Sequence, residues 1–344
     1  MQIYLDLLDN ILSNGRLRAA PRHSASTLSL FGEQLRFDLN LGFPLVTTRR
    51  VYARAAIEEL LWFLSGSTDN QYLVNRDVHI WDKWAAPTDK LVELPLTFAR
   101  SKATQMITKG DCGPIYGKMW RSWPNPDGTT IDQIKLLVEN LKTKAYSRRH
   151  VISAWNPTLL PDETISPIEN IYTGRQSLAP CHTVFQFIVE PLLLTERNAI
   201  FEKLTHDYLL DKLVIDEAIA MTSSDVELYD KLNIPTNRLS CKLFARSQDV
   251  PIGTVFNIIS YSALTLMLCK QLNFAPGHYI HSMGDSHIYL DQVEQVKQQL
   301  TRIPYDLPKL VIRSGISSLF DYDYSDFSID GYVSHPRIDY PVTE

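Results

Sequence analysis

The stretch "RLSCKLFARSQDVPIGTVFNIISYSALTLMLCKQLN", residues 238–273, sets two structural periods side by side. In its first half Leu239, Cys241, Leu243 and Ala245 alternate with Ser240, Lys242, Phe244 and Arg246. A period of two predicts a strand with one buried face. From Phe256 onward the residues are almost continuously apolar, too long a run for a strand, which predicts a core helix. Working outward, "HVISAW" and "HTVFQFIV" read as further buried strands, and "TLSLFGEQLRFDL" as one or two more. "HYIHSMGDSHIYL" reads as a strand and turn, and "LDQVEQVKQQLTR" as a helix. "ARAAIEELLWFLSG" is a helix with Ile57, Leu60, Leu61 and Leu64 on one face and Gly66 near its end. "TIDQIKLLVENLKT" is an amphipathic helix, "PIYGKMWRSW" is aromatic and turn-rich, and "MQIYLDLLDNILSNG" is a helix stopped at Asn14-Gly15. Strands and helices mix without a regular strand–helix repeat. The expected class is therefore α+β, or an irregular α/β order.

The chain has 344 residues, 44% hydrophobic and 21% charged, enough for a single large core. Two segments, 86–111 and 191–237, read as insertions into that one domain, spanning 1–344. The second carries a helical stretch, "FEKLTHDYLLDKLVIDEAIA". A net charge of −5 disfavours a protein that tracks nucleic-acid phosphates. No signal peptide opens the chain and no run of about 18 apolar residues predicts a membrane span. The four cysteines, Cys112, Cys181, Cys241 and Cys269, form no C-x-x-C pair and no disulfide framework, which fits a reducing cytoplasm. No metal is expected, since His278 and His281 lie three apart on a strand and face opposite ways. Neither a phosphate-binding P-loop nor a G-x-G-x-x-G is present.

Several polar residues stand out against this background, each with two readings. Cys181, after Ala-Pro at the mouth of a strand, is either a packed thiol or a nucleophile. Shifting a thiol pKa down by about two units takes roughly 2.7 kcal/mol of thiolate stabilisation, within reach of one guanidinium. His182 is its neighbour and points to the other face, so the activator must come from elsewhere. Arg22, Arg148, Arg149 and Arg246 are either solvated or converge on a phosphate, which takes bidentate guanidinium contacts. Asn257 is a cap or core hydrogen bond, or an amide reading a pyrimidine edge that offers a ring N–H beside a carbonyl. Glu59 is a solvated or capping carboxylate, or a half-buried proton relay. His287 and Tyr289, with Asp285, form a core network or part of a site.

"SLAPCH", "FARSQDV", "FNIISYSAL", "GDSHIYLDQVEQ" and "FDYDYSDFSIDGY" resemble thymidylate synthases, in this order along the chain. So do "FPLVTTRR", "EELLWFLSG", "IWDKWA", "GPIYGKMWRSW" and "SRRHVISAWN". The family includes the pyrimidine hydroxymethylases of bacteriophages. The resemblance covers nearly the whole chain outside the two excursions. It implies a homodimer with mixed sheets packed back to back, and dUMP and methylenetetrahydrofolate as substrates. By position, it implies that Cys181 attacks C6 of the pyrimidine. Arg22, Arg246 and Ser247 would hold the phosphate, with Arg148 and Arg149 reaching it from the partner subunit. Asn257 would read the uracil edge, and His287 and Tyr289 the deoxyribose hydroxyl. Glu59 would order the proton-transfer waters, Tyr116 would lie near the C5 proton and His182 near O4. Trp81, Asp249, Gly253, Phe256 and Val342 would contact the folate.

Departures from the synthase pattern bear on the product. The phosphate-loop segment reads "RHSAST" (22–27) without its usual glycines, and the chain ends "PVTE", with Glu344 where an apolar residue is usual. Met283 replaces the first of a glycine pair, "VPIGTVFN" lacks a proline before Phe-Asn, and Val51-Tyr52 follow "TTRR". A charged, less sealed lid admits water to the methylene intermediate. The expectation is therefore a phage-type dUMP hydroxymethylase, acting in a host cytoplasm if phage-encoded. The alternative is thymidylate synthase itself. A catalytically silent nucleotide- or RNA-binding relative is disfavoured by Cys181, Glu59, Arg246 and Asn257 occurring together.

Overall fold

Leu239, Cys241, Leu243 and Ala245 have no solvent exposure, while Lys242 and Phe244 face out, so the alternation is the strand Asn237–Asp249. The computed structural model describes residues 1–19, 26–95, 102–206 and 211–342. This strand is central. It pairs antiparallel with His182–Pro191 and parallel with Ala275–Tyr289. Val151–Ser153 extends the sheet beyond His182–Pro191. On the other side Thr27–Phe31 and Gln34–Asp38 both pair with Ala275–Tyr289, and Arg16–Arg18 edges Thr27–Phe31. The sheet is mixed and the class is α+β.

The parallel pair needs a crossover, supplied by the apolar helix Gly253–Leu272. This helix is long and apolar enough to cross a membrane by composition, but it is mostly buried, as the core helix of the sheet. It packs on the helix Ala53–Ser65, where the Ser260 hydroxyl donates to the Ala56 carbonyl at 3.1 Å. Ala53–Ser65 ends on Gly66 in the left-handed conformation, φ 75°. One hydrophobic cluster runs from Tyr4 in the N-terminal helix Gln2–Asn14 to Phe327.

Three local expectations need correction. "HYIHSMGDSHIYL" contains no turn and is one strand of 15 residues, Ala275–Tyr289. Gly284 is there for close approach: a Cβ would come within 2.7 Å of the Arg246 carbonyl oxygen. "PIYGKMWRSW" is helical over Tyr116–Arg121, because Gly117 lets its first turn press against the backbone of Phe63, 2.6 Å from where its Cβ would stand. The single helical stretch in 191–237 is two helices, Leu194–His206 and Lys212–Ala220, followed by Asp225–Lys231. These helices leave and rejoin the sheet at the paired residues Pro191 and Asn237, and carry a small core of their own around Leu228, Tyr229 and Ile234.

Gly284→Ala is expected to destabilise the fold by about 1–3 kcal/mol, as overpacking does. The strained atom belongs to Arg246, so activity should fall beyond what lost stability explains. Urea midpoints and residual turnover check both.

His281 and His182 are buried, and burial pushes both pKa values from 6.5 to about 3, with the His281 charge adding to the shift at His182. A folded-state pKa below the unfolded one means the unfolded chain takes up protons that the native state refuses. Stability is then complete above about pH 6.5 and declines as pH falls towards 3. Neither ring nitrogen of His281 has a hydrogen-bond partner among the described residues. His281→Phe should therefore lose about 2 kcal/mol less than the parent between pH 7 and 5, read from urea midpoints at the two pH values. Equal losses would show that His281 is not the proton-sensitive group.

Candidate active site

The ends of three neighbouring strands supply most of the site, because the register aligns them. Ser247 lies opposite Asp285, Gln248 opposite Ser286 and Asp249 opposite His287. On the other flank the pairing with His182–Pro191 slips between Phe244 and Ala245. Such a bulge re-aims side chains. Here it turns Arg246 towards the cysteine loop: its backbone N–H donates to the Cys181 carbonyl at 2.8 Å. Its guanidinium Nε and Nη2 donate to the carbonyls of Pro180 and Ala179, each at 2.9 Å. Arg246 thus fixes the two residues before the thiol.

Cys181 retains solvent access, while its backbone N–H donates to the Tyr116 hydroxyl at 2.8 Å. The thiol pKa is raised. Burial dominates, Asp249 adds to it, and the Arg246 guanidinium opposes both. The expectation that one arginine would lower this pKa is corrected: Arg246 spends two of its donors on backbone carbonyls, and burial wins. Cys112, Cys241 and Cys269 are buried and none of the four is disulfide-bonded.

The wall beside Cys181 is aromatic. His182 stacks on Tyr116 with centroids 3.9 Å apart and planes 3° from parallel. Its Nδ1 meets the Tyr261 hydroxyl at 2.7 Å. With its pKa near 3, His182 is neutral at physiological pH. Trp81 makes edge contacts with Trp62, Phe63 and Tyr116, and its indole N–H donates to Glu59 Oε1 at 2.7 Å. Burial raises the Glu59 pKa from 4.5 to about 7 against that hydrogen bond. The carboxyl is thus a candidate proton carrier and neither a cap nor a solvated charge.

Asn257 is buried in the first turns of its helix, and its Nδ2 donates to Gln248 Oε1 at 3.1 Å. Gly253 leaves room for that glutamine, since a Cβ would lie 2.7 Å from Gln248 Nε2. Asp249 Oδ1 accepts from the Ile252 N–H at 3.2 Å and Oδ2 from Gln292 Nε2 at 3.2 Å. Burial raises its pKa. Gln292 also donates to the Pro341 carbonyl at 3.1 Å. Tyr340 donates to Gln299 at 2.7 Å and lies under the Arg49 guanidinium. The C-terminal segment is therefore tied down beside Asp249 as far as Pro341. Val342 is 73% exposed, and Glu344 lies outside the described residues. His287 and Tyr289 meet edge to face at 5.1 Å, and Asp285 Oδ2 stands 3.6 Å from His287 Nδ1.

The structure brings Cys181, His182, Tyr116, Arg246, Glu59 and Trp81 together, with Asp249 and Tyr289 close enough to influence them. Ser247 is half-buried at its strand end and Phe256 half-buried against the core. Arg148 and Arg149 are exposed, and Arg22 lies outside the described residues. Sequence reasoning missed Tyr261, Gln248 and Gln292. Tyr261 was the most findable, a hydroxyl four residues after Asn257 and so on the same face of an apolar helix. It also missed Glu58, buried between Arg76 at 3.3 Å and Arg54 at 3.8 Å.

Comparison with known proteins gives one consistent result. The family model described as thymidylate synthase matches residues 2–344. A relative named thymidylate synthase, from Francisella philomiragia, is 40% identical over 338 residues, covering 98% of this chain and 98% of its own.

Proposed function

Because the chain belongs to the thymidylate synthase family, whose members transfer a one-carbon unit to C5 of dUMP, we propose that it is a thymidylate synthase proper. It would convert dUMP and methylenetetrahydrofolate into dTMP and dihydrofolate. Hydroxymethylation, the expectation from the altered tail and phosphate loop, is the less supported product. The relative matched over nearly its full length is named a synthase. The inference of a loose lid also weakens, since Gln292 ties the tail to Asp249 through Pro341. A phage origin has no support beyond that inference.

The carrying observation is a partly accessible thiol whose loop is held by Arg246 and whose wall is Tyr116, neutral His182 and the Glu59–Trp81 pair. As the thiolate, Cys181 adds to C6 and leaves C5 an enolate carbon. A bound phosphate beside Arg246 would redirect that cation, and the thiol must lose its proton before addition. C5 then bonds the one-carbon unit of the folate. Loss of the C5 proton, near Tyr116, and departure of tetrahydrofolate leave an exocyclic methylene. Hydride from tetrahydrofolate reduces it to the methyl group, giving dihydrofolate, and the C5 enolate so formed expels the Cys181 thiolate from C6 to free dTMP; water exclusion favours that fate. Arg246 and Ser247, with Arg22, would take the phosphate. Asn257, braced by Gln248, would take the uracil edge, and His287 and Tyr289 the sugar hydroxyl. Trp81, Asp249, Gly253, Phe256 and Val342 would face the folate.

The reading includes a homodimer in the reducing cytoplasm. Phe244, Ile188 and Val151 leave the outer sheet face partly apolar and exposed, and Arg148 and Arg149 are exposed near its edge. Those arginines would serve the partner's phosphate site. Residues 1–344 would form one domain, with 86–111 and 191–237 as insertions. Mass spectrometry of the nucleotide tests the product. A gain of CH2 over dUMP together with dihydrofolate absorbance is expected. A gain of CH2O without dihydrofolate would overturn the synthase reading.

A further inference from the structure

The hairpin Lys90–Pro95 with Lys102–Ile107 helps enclose a second cleft of about 890 Å³ that none of the proposed catalytic residues lines. Its size suits a small organic ligand, for which sites span roughly 300–1,000 Å³. The hairpin contributes Leu94 and Ile107, and Ile171 and Met119 add to the apolar lining. The hairpin's Val92 and Ile107 and the opposing Ile171 are buried together in a small cluster of their own, so the apolar side of the cleft is built. Lys118 and Arg175 bring two positive charges to the lining against one carboxyl, Asp111. That carboxyl is already engaged: Oδ1 accepts from the Gly113 N–H at 2.8 Å, and burial raises its pKa against the Gly113 and Thr68 hydrogen bonds and the Lys118 charge.

We propose that this cleft binds a small amphiphilic anion, an apolar body bearing one acidic group, and that its occupancy is felt at Cys181. The acidic group meets Lys118 and Arg175, and the apolar body lies against Leu94, Ile107 and Ile171. Two connections join the cleft to the cysteine, one through the Tyr116 hydroxyl, which accepts the Cys181 N–H at 2.8 Å, and one along the chain. Tyr116 opens the short helix that carries Lys118 and Met119. Thr173, Gly174 and Arg175 line the cleft and lead directly into the cysteine loop. Between them Gln176 is pinned to the Leu159 carbonyl at 2.9 Å and the Pro114 carbonyl at 3.0 Å, and the Ser177 N–H reaches the Cys112 carbonyl at 3.3 Å. A ligand that shifts either wall therefore moves a neighbour of the reacting sulfur.

The full-length enzyme, saturated with dUMP, is titrated with anilinonaphthalene sulfonate, an aromatic body with one anionic group. Saturable binding is expected, weakened about tenfold in Lys118→Ala with Arg175→Ala, as charge-assisted contacts are lost. Thr158→Trp should fill the cleft and abolish binding while leaving basal turnover intact. In the parent, occupancy should slow release of the C5 proton about fivefold. Absence of binding overturns the proposal. So does binding indifferent to all three substitutions, binding displaced by folate, or binding that leaves C5-proton release unchanged. The titration reads the cleft without reference to the product, so its failure would leave the synthase reading standing.

Discussion

Cys181→Ser is expected to reduce turnover by a factor on the order of 10⁴ or more, the scale at which loss of a covalent nucleophile is felt. Serine keeps the shape of the loop. The Cys181 N–H to Tyr116 contact and both Arg246 contacts to Ala179 and Pro180 use backbone atoms, so the frame survives. What vanishes is an ionisable sulfur, because a serine hydroxyl is a far weaker acid and a weak nucleophile at its free pKa. His182 Nδ1 is engaged with the Tyr261 hydroxyl, and the ring is held neutral with a pKa near 3. dUMP binding should persist, since the reading proposed above gives the phosphate and base contacts to Arg246, Ser247 and Asn257. Release of tritium from C5-labelled dUMP is the discriminating measurement, because it reports adduct chemistry ahead of product formation. Near-parental release from the serine enzyme would remove the thiol from the mechanism altogether.

Much of the fold was legible because burial leaves a periodic trace. Leu239, Cys241, Leu243 and Ala245 announced a strand and the apolar run from Phe256 a helix; that the strand is central and the helix its crossover came from the pairing. The errors share a cause. Gly284 looked like a turn, yet its missing side chain serves contact with Arg246, a residue 38 positions away that no local pattern reports. Gly117 misled in the same way through Phe63. At the site, residue types were legible and their energetics were not. Arg246 was marked as unusual for lying in an apolar alternating strand, but its engagement with two carbonyls follows from a bulge between strands, and the raised thiol pKa from burial. The weighing of the product, where the named relative supports the alternative better, was hard for a similar reason. Glu344 is a chain-end residue, whereas the attachment of the tail depends on Gln292, Gln299 and Arg49, scattered through the sequence.

Glu59→Gln should separate activity from stability in opposite directions. The carboxyl is almost isosteric with the amide, and glutamine can still accept the Trp81 indole N–H, so the aromatic wall stays in place. Proton transfer is lost: with a pKa raised to about 7, Glu59 populates both protonation states near neutrality, which suits a group that must take and return a proton. Turnover is expected to fall about 10²–10⁴-fold, and the limb of the kcat/KM profile near pH 7 should disappear. Stability moves the other way. Burial raises this carboxyl above its ordinary 4.5, so the native state holds the proton more tightly than the unfolded chain. As pH rises from about 4.5 to 7 the unfolded state ionises first and gains, and above pH 7 the native state carries the whole penalty, about 3 kcal/mol. The amide never ionises and escapes it. The stability difference between variant and parent should therefore grow by about that amount from pH 4.5 to pH 8, measured by urea midpoints. A difference that stays flat with pH, or a variant that turns over at the parental rate, would mean that Glu59 carries no proton in the reaction.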